Sequence, residues 1–290
     1  SQMKGVILTG GNGSRLYPNT TVMNKQLLPV FDKPMIYYPL TTLIENGVIE
    51  ICIVSSEEAL PNFKQLLGDG EQWGIKLHYA IQKAPIGIPD ALNVARKHLD
   101  KDDGIALILG DNIYHGANDV LSEAFFNFNS GATVFGYQVD DPTRYGVIEI
   151  DGNLIRSIEE KPKKPKSNYA IPGLYLFDYN AIEITKNLRP SKRGELEITD
   201  VIKTYLRNDT LNVFKLPRGT AWLDAGTSSS LFDSSAYVQA LERRQGVKIG
   251  CPEEATYKQG NINKTQLRKL IKDIPNCEYK DYLSNILKYE

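Results

Sequence analysis

The chain is short of the residues that most enzymes use as nucleophiles and metal ligands. Its 290 residues include three cysteines and three histidines. Cys52, Cys251 and Cys277 are odd in number and widely spaced. That argues against a disulfide framework or a structural zinc site, and it fits a reducing cytoplasm. His78, His98 and His115 are equally scattered, so a zinc enzyme is disfavoured. A Ser-His-Asp hydrolase would need a Gly-x-Ser-x-Gly elbow, and the chain has none. Net charge is only −1, which leaves no basic field to attract nucleic acid or an anionic membrane. No apolar run reaches the ~18 residues of a membrane span. The N-terminus also lacks the charged-then-apolar layout of a signal peptide. Ser1-Gln2 read as additions ahead of a natural start at Met3. With 41% hydrophobic residues, the chain suits one large globular domain or two intimately packed ones.

What it does have is a glycine-rich turn, Gly10-Gly11-Asn12-Gly13-Ser14-Arg15, directly after the apolar run Gly5-Val6-Ile7-Leu8-Thr9. The run reads as a buried first strand. Glycines let the backbone approach an anion closely and turn N–H groups toward it. Arg15 adds a fork of donors that fits phosphate oxygens. A Walker loop is excluded because no Lys-Ser or Lys-Thr follows. A dinucleotide fingerprint is disfavoured because Leu16 stands where the third glycine belongs.

The first half alternates strands and helices. Glu50–Ser55, Lys76–Ile81 and Ile105–Leu109 read as strands. Ile36–Ile44, Asn62–Leu67 and Pro89–Leu99 read as helices, the first with a kink expected at Pro39. This rhythm predicts an α/β fold with a doubly wound, mostly parallel sheet flanked by helices. Ligands are then expected at the C-terminal strand ends. After residue 130, Ala132–Val139, Gly146–Ile150, Leu154–Glu159 and Ile171–Phe177 read as strands with few helices between, forming an antiparallel or mixed extension. Asp151-Gly152-Asn153 is a hairpin turn. From Ser228 the pattern turns helical, with Leu231, Val238 and Leu241 on one face, then Gln266–Lys272 and Tyr279–Lys288. The expected division is a catalytic domain over 3–227, in halves 3–115 and 116–227, with a helical region 228–290 packed on it.

Two aspartates end apolar stretches beside glycine, Asp111 in Gly110-Asp111-Asn112 and Asp224 in Trp222-Leu223-Asp224-Ala225-Gly226. Each alone also fits a turn or a cap. Together they could share a hard cation with phosphate oxygens completing its shell. Lys25 follows the glycine turn in a stretch bracketed by Pro18, Pro29 and Pro34, where regular helix is excluded. Arg15 and Lys25 could put two cations on a triphosphate. The run Lys161–Lys166 reads as a solvated loop, its first lysine apart.

These residues carry a resemblance. Gly10–Pro18, Lys25–Leu40, Leu66–Gly70, Leu109–Asn112, Arg144–Val147, Glu159–Pro162, Pro165–Ala170, Arg193–Asp200, Trp222–Thr227 and Arg244–Glu254 closely resemble the short bacterial glucose-1-phosphate thymidylyltransferases. The likeness spans essentially the whole chain. It implies a Rossmann-like nucleotidyltransferase fold with an antiparallel sugar-binding extension. It also implies a cytoplasmic, Mg²⁺-dependent reaction of dTTP with glucose 1-phosphate, giving dTDP-glucose and pyrophosphate at the head of dTDP-deoxysugar synthesis (dTDP-rhamnose, for example). Leu8, Gly10, Gly11, Gly13, Ser14 and Arg15 are implied to hold the nucleotide, with Gln26 near the nucleoside and Gln82 and Gly87 reading the base. Asp111 and Asp224 are implied as metal ligands. Tyr145, Gly146, Glu160 and Gly173 are implied to hold the sugar, and Lys161 its phosphate. Arg15, Lys25 and Lys161 are the implied catalytic cations. A homotetramer is implied too, with an end-product site near Arg218 and Glu254.

The residue types suit that chemistry. The attacking sugar phosphate is already ionised near neutral pH, so no protein nucleophile or strong base is required. Positioning and charge stabilisation suffice. One segment departs from the family pattern: Ile86 replaces an acidic residue, and Pro89-Asp90 replace Ala-Gln. Pro172 also stands where a smaller residue is usual, removing a backbone donor beside the sugar. A related transferase using UTP or another hexose 1-phosphate is the alternative, a non-catalytic nucleotide-sugar sensor the alternative of another class.

Overall fold

Apolar residues on both faces of β1 (Met3–Leu8) put this strand in the middle of the molecule. Val6 and Leu8 point into one core layer, Ile7 into the other. We describe residues 2–11 and 13–289 from a computed structural model; Asn12 of the glycine-rich turn lies outside the described residues. Past β1 the chain makes three single 3₁₀ turns, at Ser14–Leu16, Asn19–Thr21 and Lys25–Leu27, and a short hairpin of β2 (Pro29–Val30) and β3 (Lys33–Pro34). The first α-helix, α1 (Tyr37–Glu45), begins only after it. Pro39 sits in the first turn of α1, where N–H groups lack intrahelical partners in any case, so the expected kink has no cause.

The parallel half follows: β4 (Glu50–Ser55), α2 (Leu60–Leu67), β5 (Lys76–Ile81), α3 (Asp90–Ala95) and β6 (Gly104–Leu109). β6, β1, β4 and β5 lie side by side and parallel in that order. The chain then forms β7 (Asn112–His115), α4 (Asn118–Asn127), β8 (Ala132–Gln138), the hairpin β9 (Gly146–Asp151) and β10 (Leu154–Glu160), β11 (Tyr169–Ala170) and β12 (Leu174–Phe177). β12 is antiparallel to both β6 and β8, and it joins the halves into one mixed ten-stranded sheet.

The region beyond residue 130 is more helical than its sequence texture predicts. α5 (Asn180–Lys186) and α6 (Ile198–Arg207) cover the sheet, and β13 (Leu211–Lys215) adds in parallel to β8. α6 buries Ile198, Val201, Ile202 and Tyr205 at helical spacing. A ten-residue helix is marginal alone, and at about 1.5–3 kcal/mol per buried side chain this face accounts for it. β14 (Ala221–Asp224) pairs with β7, and then α7 (Ser228–Gln245), α8 (Pro252–Lys258), α9 (Lys264–Lys272) and α10 (Glu278–Tyr289) complete the chain. α7 packs Val238, Leu231 and Leu241 against Val30 and Met35. Trp73 Nε1 donates to Glu253 on α8 at 3.0 Å, tying the C-terminal helices to the body. None of the described helices is long and apolar enough to cross a membrane.

Candidate active site

The sheet reverses its winding between β1 and β6, and the crevice at their C-terminal ends is where open α/β sheets take ligands. The Gly110 N–H donates to the Leu8 carbonyl at 2.8 Å, so the glycine-rich turn and the Asp111 tip start from adjacent strand ends. A Cβ on Gly110 would meet the Leu8 carbonyl at 2.9 Å and Gln26 at 2.8 Å, which makes glycine the fitting residue. No long helix follows the turn; Leu16, in the dinucleotide glycine's place, is fully buried and pins the Ser14–Leu16 turn to the core. An anion held here would meet loop amides, Arg15 and Lys25 rather than a helix dipole.

Two cavities open on either side of this point. One, of about 370 Å³, is lined by Gly10, Gly11, Lys25, Gln82 and the Thr20–Asn24 segment. The other, of about 630 Å³, is lined by Arg15, Asp111, Tyr145, Gly146, Glu160, Lys161, Gly173 and Asp224, among others. The β7–β14 and β9–β10 pairings thus bring residues as far apart in the chain as Asp111 and Asp224, with Gly146 and Glu160, around one space. Among the described residues neither cavity is lined by a histidine or a cysteine.

Asp111 and Asp224 meet through β-pairing. Asp224 on β14 stands opposite Asn112 on β7, and the Ala225 N–H reaches the Asp111 carbonyl at 3.3 Å. Burial raises the Asp224 pKa first, and the charge of Asp111 raises it further; Lys25, Arg15 and the Gly226 backbone N–H oppose this. Asp224 Oδ1 is buried without a hydrogen-bond partner. An acceptor-only oxygen left unpaired beside a second carboxylate fits a bound cation. No group of three His, Cys, Asp or Glu among the described residues is placed to hold a metal, so a hard ion here would draw its other ligands from phosphate and water. Asp111 Oδ2 meanwhile pairs with Lys25 Nζ at 2.7 Å, and Oδ1 accepts from Asn112 Nδ2 at 2.9 Å.

In the larger cavity, Glu160 pairs across the hairpin with Gly146. Burial and then Glu197 raise its pKa; Lys161 and Arg193 partly offset them. Lys161 holds φ at 44°, an uncommon conformation for a non-glycine residue, fixed by its N–H to the Tyr145 carbonyl at 3.0 Å. Pro172 is buried and lines neither cavity, although Ile171 and Gly173 line this one.

Other expected residues lie elsewhere. Gln26 is buried beneath Gly110 with Oε1 unpaired and lines neither cavity. Leu8, Gly13 and Ser14 line neither either; the Gly13 carbonyl accepts from Thr20 Oγ1 at 2.7 Å and shapes the turn from behind. Gly87 sits at φ 119° and bridges to Leu196. Arg218 is exposed at a separate depression with Asp140 and Asn168, and Glu254 pairs with Tyr282 and Lys258, so neither belongs to the crevice.

Three residues without an expected role stand out. Asn112 Oδ1 accepts from Trp222 Nε1 at 2.5 Å and from the Gly173 N–H at 3.2 Å, while its Nδ2 holds Asp111. Trp222 stacks obliquely on Tyr145 at 5.2 Å as an aromatic wall. Arg193 grips Glu197 with Nη2 at 2.9 and 3.0 Å and borders the cavity. Asn112, Arg193 and Trp222 lie within stretches that carry the resemblance, so position was legible, but the contacts that give them work were not.

A family model described as nucleotidyl transferase matches residues 4–240. A glucose-1-phosphate thymidylyltransferase of Mycolicibacterium smegmatis is 46% identical, over 99% of this chain and 100% of that protein. One from Neisseria meningitidis serogroup A is 44% identical, again over 99% and 100%. A Bacillus anthracis crystal structure with a sucrose, assigned provisionally to the same activity, superposes with TM-score 0.75 at 42% identity, covering 81% of this chain and 94% of that one. A UDP-glucose pyrophosphorylase with UDP-glucose shares the fold at 22% identity and TM-score 0.72, covering 83% and 100%. The chain belongs to the nucleotidyl transferase family, as a relative of the glucose-1-phosphate thymidylyltransferases.

Proposed function

We propose that this protein joins dTTP and glucose 1-phosphate into dTDP-glucose and pyrophosphate, with Mg²⁺ as the metal. The observation that carries the reading is the 2.7 Å contact of Lys25 with Asp111, which joins the cavity lined by Lys25 and Gln82 to the one lined by Arg15, Asp111 and Asp224. The names of the full-length relatives support the choice of nucleotide and sugar.

A phosphate oxygen of glucose 1-phosphate attacks the α-phosphorus of dTTP in line, a new P–O bond forms, and the bond to pyrophosphate breaks. The attacking oxygen is already ionised, so no residue need remove a proton. Arg15 and Lys25 neutralise the triphosphate, and Lys161 brings the sugar phosphate against it, converting a repulsive encounter of two anions into a held one. Glu160 accepts hydrogen bonds from sugar hydroxyls, and Trp222 with Tyr145 excludes water from one wall. Asp111 and Asp224 are the residues that would hold Mg²⁺, which when bound supplies positive charge beside the reacting phosphate. The catalytic unit is 3–227 with 228–290 packed on it. The working assembly is a cytoplasmic homotetramer with Arg218 and Glu254 at an end-product site, a reading that rests on the family resemblance.

The test is pyrophosphate release across a panel of nucleoside triphosphates and hexose 1-phosphates. Highest kcat/KM is expected for dTTP with glucose 1-phosphate. A preference for UTP would move the protein to the related transferase, and binding without release from any pair would make it a sensor.

A further inference from the structure

The side-chain amide of Gln82 is committed on one side. Its Nε2 donates to the Gly87 carbonyl at 3.3 Å and to Asp90 Oδ2 at 3.1 Å. Both partners accept only, so the atom between them must be the nitrogen, and both its hydrogens are used. Gln82 is 7% exposed, so it cannot exchange these bonds for water without cost. What remains free is Oε1, which lies 3.0 Å from the place a Cβ on Gly10 would occupy, on the wall of the 370 Å³ cavity.

We propose that Asp90 is a positioning residue that sets base specificity. By holding Nε2 it makes Gln82 present a lone acceptor to the cavity, which selects bases with a ring N–H over bases with a ring-nitrogen lone pair. Thymine and uracil offer N3–H; cytosine offers an N3 acceptor. A flipped amide would set Oε1 against a carboxylate and a carbonyl at once. The Gly87 carbonyl alone, at 3.3 Å, gives one long bond and a weak preference. Asp90 is itself fixed as the first residue of α3, whose Ala91, Leu92 and Ala95 are buried against the sheet. The inference rests on reading the smaller cavity as the nucleotide site.

Equilibrium binding of dTTP, dUTP and dCTP to the full chain, without sugar phosphate, tests it. Asp90→Ala is expected to shrink the dCTP-to-dTTP ratio of dissociation constants about tenfold, the worth of a charge-assisted hydrogen bond. The dUTP-to-dTTP ratio should stay unchanged, because both bases carry N3–H. Asp90→Asn keeps an acceptor for Nε2 and should retain most of the discrimination. An unmoved dCTP ratio in Asp90→Ala, or dUTP and dCTP ratios moving together, would overturn the inference. Turnover is not involved, so failure of the transfer reaction leaves this result readable; failure to bind all three nucleotides overturns inference and site together.

Discussion

Lys25 Nζ stands 2.7 Å from Asp111 Oδ2, joining residues 86 positions apart, with the two side chains 11% and 17% exposed. The pair covers one of the two carboxylates that would hold a metal. Lys25→Met removes that cover and a cation for the triphosphate. Turnover is expected to fall about 10²–10³-fold. The nucleotide-free variant should nevertheless bind Mn²⁺ more tightly than the parent, read by electron paramagnetic resonance. Weaker Mn²⁺ binding would show that Lys25 does not compete for Asp111.

Asp224 imposes the opposite balance between stability and activity. Its pKa is raised above the ordinary 3.8 by burial and by Asp111. A carboxyl raised in the fold contributes stability that is full below its unfolded value and lost as pH rises through the folded one. The buried Oδ1 without a hydrogen-bond partner, beside a second carboxylate, is a cost of about 1 kcal/mol. Asp224→Asn should therefore raise the Tm of the free protein by roughly 2 °C at pH 7 and abolish turnover. Added Mg²⁺ with dTTP should stabilise the parent more than the variant. Thermal melts with and without ligand check both.

Glu160 sets an acid limit on the sugar. Burial and the neighbouring Glu197 raise its pKa from 4.5. Its protonation removes an acceptor from the cavity, so kcat/KM for glucose 1-phosphate should fall as pH drops through this raised value, at higher pH than an ordinary glutamate would give. In Glu160→Gln the limb should flatten and KM for the sugar phosphate should rise about tenfold or more. A pH profile with dTTP saturating measures it.

Gly87 couples the two cavities. At φ 119°, a Cβ would come within 2.1 Å of the Leu196 carbonyl. The Leu196 N–H donates to the Ile86 carbonyl at 2.7 Å, and Leu196 borders the larger cavity. Gly87→Ala should cost about 1–3 kcal/mol in stability. It should raise KM for both substrates, whereas a change confined to the base loop would raise it for dTTP alone. Steady-state kinetics with each substrate varied separates these outcomes.

Much of this was legible in the sequence where chemistry and periodicity are local. The strand Glu50–Ser55, the glycine turn and the two strand-tip aspartates could each be read from a few neighbouring residues. That Asp111 and Asp224 share one space could not, because it depends on β7 pairing with a strand more than a hundred positions away. The same holds for Gln82 and Asp90: close in sequence, they are joined by a side-chain geometry that no periodicity reports. α6 is a different case. Ile198, Val201, Ile202 and Tyr205 carry a helical period, but the strand texture around them masked it. Pro39 shows that a helix breaker is read wrongly when the helix start is misplaced by one residue.

At the core of the proposed reaction is a single in-line transfer with no protein nucleophile. It is tested most directly with dTTP carrying sulfur at the α-phosphorus in one configuration, incubated with glucose 1-phosphate and Mg²⁺. The expected product is a dTDP-glucose analogue of inverted configuration, with an equal amount of pyrophosphate. Retention of configuration, or no product, would contradict it.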